Sequence, residues 1–219
     1  MSAFPVLVER GVKRAFASAL DWPGWCRSGQ DEAGALEALA AYATRYRRAM
    51  AASARTVPSD VSASSFEVVE RVRGNATTDF GAPGAAAKAD RRDLDGRELR
   101  RQLRLLRATW NAFDRTAAGA RAFALAKGPR GGGRTVAAMI RHVHEAEGAY
   151  LSKIGGPTKA PVDDAELRAM YVRILTARAR GEPPPRVPRS GGVWPVRYAI
   201  RRSAWHALDH AWEIEDRSS

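Results

Sequence analysis

Beyond residue 95 the apolar side chains fall into step with a helix. Leu99, Leu103, Leu106, Trp110 and Phe113 are spaced 4, 3, 4 and 3 residues apart, which sets them on one stripe of an α-helix over 95–117. Arg97, Arg100, Arg101, Arg104 and Arg107 fall mainly off that stripe and read as a solvated face. Three more helices are expected: 135–153, 163–180 with Leu167, Met170, Tyr171 and Ile174, and 195–216, where Pro195 suits a first helical turn. Four long amphipathic helices bury their stripes most simply against one another, so a helical bundle is expected.

The N-terminal part reads differently. "PVLVERG" and "KRAFASALD" suggest two short strands, and "DWPGWCRSGQ" punctuates with Pro-Gly. Ala35, Leu36, Leu39, Tyr42, Tyr46 and Met50 have helical period over 31–52, with Asp31 and Glu32 suited to the first turn. "SFEVVERVRG" alternates as a third strand. From 75 to 95 the composition turns to Ala, Gly, Thr, Asp and Lys, which reads as a linker or long loop. The expected fold class is therefore α+β, with a small unit over 1–90 and a helical unit over 91–219.

Charge excludes less than it suggests. The net charge is +12, and residues 91–219 carry 25 Lys+Arg against 14 Asp+Glu, while 1–90 carry 11 against 10. Of the 36 basic residues 31 are Arg, and no RNP aromatics, zinc-finger spacing or helix-turn-helix accompany them, so no specific nucleic acid is expected. "GPRGGGRT" has P-loop spacing except for Arg134 in the lysine position; without a preceding buried strand it reads as an interhelix loop capped by Thr135. No stretch has the length of a membrane span, the N-terminus meets charge too early for a signal peptide, and Cys26 stands alone, so a cytoplasmic protein is expected.

Two of the four histidines, His206 and His210, stand one helical turn apart in "WHALDHAW". That spacing points both imidazoles at one place, the geometry of metal ligands, and a third ligand must come from elsewhere. His142 and His144 are the remaining histidines, on the second long helix. Val136, Met139, Ile140, Val143, Tyr150 and Leu151 define its apolar stripe; His144 borders the stripe and His142 lies farther round, among small alanines that leave room for a ligand. Glu213 shares the side of His206 and His210 and is the candidate catalytic carboxylate, as general base or as the group that orients an imidazole; a solvated acid is the alternative reading. Glu147 falls within the stripe, where it needs an Arg or Trp N–H partner. Trp205 and Trp212 read as core or as walls of a pocket, and Arg201 and Arg202 as attractors for an anion or as surface charge.

Val136, His142 and Glu147, followed by His206 and His210, resemble the pattern of the DinB/YfiT-like metal-binding four-helix bundles, which include bacillithiol and mycothiol transferases. The resemblance implies a metal site of His142, His206 and His210, with His144 as fallback. It also implies a divalent cofactor, Zn or Ni above all, a low-molecular-weight thiol, an electrophilic substrate and a homodimer. "FASALDWPGWCRSGQDEAGALEAL" resembles a HicB-like antitoxin-type domain, which implies a protein partner docking on residues 1–90. Thiol-dependent transfer or isomerisation is the expected activity. A non-enzymatic binding module and a metal-dependent hydrolase stand as alternatives.

Overall fold

The chain begins as a sheet. In the computed structural model, which describes residues 3–54, 57–58, 60–120, 124–127, 133–188 and 192–218, the strands are β1 (Phe4–Arg10), β2 (Ala15–Ala19), β3 (Cys26–Gly29) and β4 (Phe66–Arg73), in the order β3-β2-β1-β4. β1 pairs antiparallel with β2, Val6 opposite Ala19, and β2 antiparallel with β3, Ala15 opposite Gly29. β4 runs parallel to β1, which requires a crossover. Helices α1 (Glu32–Ala41) and α2 (Ala43–Met50) provide it. Asp31 is the cap of α1 rather than part of its first turn, its carboxylate accepting from the Gly34 N–H at 2.9 Å. The helix expected over 31–52 breaks at Tyr42, whose ring turns out to meet Trp212.

Cys26–Gly29 was expected to be only punctuation and is a strand. What precedes it explains the Pro-Gly. Gly24 has φ +92°, and a Cβ there would lie 2.7 Å from Leu208 Cδ1 and 3.2 Å from Thr109 Cγ2. The turn thus wedges between two of the long helices, while Trp25 Nε1 donates to the Leu39 carbonyl at 2.8 Å and the Tyr46 hydroxyl donates to that of Pro23 at 3.0 Å. Gly24→Ala should destabilise the protein by about 2–4 kcal/mol, combining overpacking with a strained left-handed backbone. A denaturant midpoint unchanged from wild type would show that the wedge is slack.

Residues 75–95 are tied down along their length. A short helix, α3 (Ala76–Phe80), follows β4. The buried Glu9 carboxylate accepts from the Gly84 and Ala85 N–H groups at 2.9 and 3.0 Å and from the Thr78 hydroxyl. Glu70 accepts from the Lys88 N–H at 2.8 Å. Asp90, also buried, accepts from the Ala87 N–H at 2.7 Å and pairs with Arg201.

The remainder is mostly helical: α4 (Gly96–Ala120), α5 (Val136–Lys153), α6 (Asp164–Ala179) and α7 (Val196–Arg217). Thr135 caps α5, its hydroxyl accepting from the Ala138 N–H at 3.2 Å, whereas Gly128–Gly132 of the glycine-rich segment lie outside the described residues. Pro195 is the residue before α7 rather than in its first turn. Arg97, Arg100, Arg104 and Arg107 are exposed as expected, but Arg101 donates to the Asp21 carbonyl at 2.7 Å and lies over the Trp22 ring.

α7 is buried on nearly all sides, as a helix must be when neighbours surround it. Ala199, Ala204, Ala207, Ala211 and Ile214 join a core with Leu103, Leu106, Trp110, Met139, Leu151, Leu167 and Tyr171 from α4, α5 and α6. Leu208 and Trp212 belong instead to the core of the sheet and its helices, with Val6, Trp25, Leu39 and Tyr46. Leu105 and Ala112 of α4 join that same core, so both helices bridge the two parts of the chain. The third face of α7 carries His206, His210 and Glu213. Among the described residues no helix is long and apolar enough to cross a membrane.

Candidate metal centre

The answer to "WHALDHAW" lies in these three faces. Successive residues turn about 100° around a helix, so Trp205, Leu208, Asp209 and Trp212 share one side while His206, His210 and Glu213 share the next. Trp205 meets Phe16 edge-on at 6.2 Å, Asp209 pairs with Arg27 at 3.0 Å, and Trp212 packs on Tyr42 at 5.0 Å. Both tryptophans are thus anchors to the N-terminal part, and Trp212 faces away from the histidines.

On α5 the apolar stripe is flanked by one histidine on each side, His144 about 80° and His142 about 120° from its centre. His144 turns toward α6 and bonds the Asp164 carboxylate through Nδ1. His142 turns toward α7. Its Nε2 lies 3.3 Å from His206 Nε2, which lies 3.2 Å from His210 Nε2, and the three residues hold one ligand atom each within 4.8 Å of one another. His142, His206 and His210 therefore lie close enough to hold a metal ion.

Two physical arguments weigh on what the cluster does. Neutral imidazoles can share N–H···N bonds at such distances. Yet the His210 Nδ1 lies 2.9 Å from the Glu213 carboxylate, so Nδ1 carries the proton and Nε2 presents its lone pair to the cluster. Burial, the neighbouring His210 and Arg134 lower the pKa of His142. Burial, then His210, Arg202 and His142, hold that of His206 well below the usual histidine range. Both are neutral at pH 7, with lone pairs free for coordination. Tetrahedral zinc with nitrogen ligands at about 2.0–2.1 Å has ligand–ligand edges of about 3.3–3.4 Å, which the observed Nε2 separations approach. The donor set fits a metal ion.

Glu213 is itself fixed, accepting from Arg217 Nη1 at 3.0 Å, and its pKa is lowered by the hydrogen bond to His210 and the nearby Arg217 charge. It touches His210 from behind, the position of a carboxylate that sets a ligand's tautomer. His206 lacks such support: its Nδ1 is buried without a hydrogen-bond partner among the described residues.

Around the cluster stand residues that periodicity assigned only to the core. Tyr150 meets His206 edge-on at 5.7 Å and packs on Trp194 at 5.3 Å. Its place two turns beyond His142 was the available signal. Glu147 found the arginine it needed: Arg168 Nε donates to it at 3.0 Å, while burial raises its pKa to about 6 against the pull of Arg168. Arg201 is no attractor for a ligand, since it is buried with Asp90. Cys26 is buried beside Ser18, and burial pushes its thiol up to about 12, which leaves it inert. No family model, curated protein or solved structure matches the chain, so the functional reading stands on the imidazole geometry.

Proposed function

We propose that the protein binds one divalent metal ion, zinc or nickel above others, through His142, His206 and His210, as a DinB/YfiT-like four-helix bundle does, and uses it for thiol-dependent transfer or isomerisation. The His206 Nε2, 3.3 Å from that of His142 and 3.2 Å from that of His210, with all three ligand atoms within 4.8 Å, carries the reading. Three imidazole ligands leave coordination open to a further ligand, the arrangement of catalytic rather than structural zinc. A metal held there would favour the thiolate of an incoming thiol, or hydroxide from water, at neutral pH. Glu213 holds the His210 tautomer, and Tyr150 and Trp194 wall the side of His206.

Elemental analysis of purified, untagged protein tests the reading. Close to one zinc or nickel per chain is expected; none after reconstitution with either metal overturns it. On loaded protein, consumption of an electrophile only in the presence of added thiol identifies a transferase. Turnover without thiol would assign a hydrolase instead.

A further inference from the structure

Arg202 stands one turn before His206, on the border between the imidazole face of α7 and its tryptophan face. Its guanidinium carbon lies 4.6 Å from the centroid of the Trp205 ring and 5.4 Å from that of Tyr150. Tyr150 also meets the His206 ring, so one aromatic side chain touches both the cation and a histidine of the cluster.

Two neighbouring arginines of α7 are committed: Arg201 pairs with Asp90 and Arg197 with Glu98. Arg202 makes no hydrogen bond or ion pair among the described residues, and its Nη1 is closed off from solvent without a partner. An uncompensated guanidinium in a partly buried place is unfavourable unless something supplies an acceptor. Glu213 does not do so, being shared by His210 and Arg217, and Glu145, the other carboxylate whose charge acts on His142, is exposed on α5. Neutral histidines add no negative charge, and a divalent ion would add two positive ones.

We infer that the thiol or substrate taken by the histidine centre carries a carboxylate, received by Arg202 between the Tyr150 and Trp205 rings. This rests on the metal-site reading above. A planar carboxylate matches an edge of a planar guanidinium whose faces are covered by rings. A tetrahedral phosphate would call for donors on further sides, and the two rings cover the faces of this guanidinium.

Cobalt-loaded full-length protein tests the inference through the thiolate-to-cobalt absorption band. 3-Mercaptopropionate should saturate the band at a concentration about ten-fold lower than 2-mercaptoethanol, the equivalent of one charge-assisted contact. In Arg202→Gln the preference should fall to within about two-fold, with cobalt content and 2-mercaptoethanol binding kept; Arg202→Lys should retain part of it. Acetate should compete better than inorganic phosphate. Wild-type protein that holds cobalt yet binds both thiols alike, or a preference that survives Arg202→Gln, overturns the inference and leaves the metal centre standing. Stronger competition by phosphate overturns the choice of carboxylate. Wild-type protein that takes up no cobalt overturns the metal reading and the inference with it.

Discussion

On the proposed reading, His206→Ala should leave the protein unable to retain a metal ion, and His210→Ala and His142→Ala should do the same. Each removes one of three nitrogen donors, a larger loss than that of an outer-shell partner, which typically weakens affinity about 10- to 100-fold. Glu213→Gln, by loosening the His210 tautomer, should fall in that smaller range. His144→Ala should keep its metal, because His144 is occupied with Asp164 on the α6 side. Heat stability reads the same event independently. At 100-fold excess over Kd a ligand confined to the folded state adds about 2.7 kcal/mol, worth about 5–10 °C in Tm for a chain of this size. Wild type and His144→Ala should show that rise on adding zinc, and the other three histidine variants should not. An equal rise in His206→Ala would place the metal elsewhere.

The second large effect lies in the pair Asp90–Arg201. Both side chains are buried, and Asp90 also fixes the Ala87 N–H. Asp90→Ala abandons a buried guanidinium and should cost about 3–5 kcal/mol. Removing both charges should cost far less, since an apolar pair of similar volume needs no solvation; Asp90→Leu with Arg201→Met is the variant to compare. Urea unfolding of the single and double variants decides it. Additive losses would mean that the two charges do not depend on one another.

Sequence periodicity made the helices legible. α4, α5 and α6 each carry a stripe that a one-dimensional pattern can reveal, Pro195 marked the start of α7, and β1, β2 and β4 were expected close to where they lie. β3 was not, because only Cys26 of its four residues is fully buried, and so short a segment has no alternation to read. The break at Tyr42 was equally hidden: the ring that Tyr42 meets there is Trp212, 170 residues away in sequence. The site shows the same division. His206 and His210 declare themselves by local spacing, whereas the choice between His142 and His144 depends on which neighbour covers which flank of α5. A stripe does not contain that information. Arg201 makes the point most sharply, since a residue that reads as surface charge is neutralised by an acid 111 positions earlier.

α7 serves at once as a wall of the helical core, an anchor for the sheet and a carrier of two histidines of the cluster. Such a helix cannot loosen on one side alone. Fluctuations that free Trp212 from Tyr42, or Trp205 from Phe16, must also disturb the convergence of His206 and His210 on His142. On the proposed metal-binding reading, occupancy of the imidazole face would be thermodynamically linked to the openness of the sheet, and by reciprocity anything that grips β2 or α1 would tighten the hold on an ion. The N-terminal part then acts as a splint, setting how long the three donors stay aligned while a ligand comes and goes.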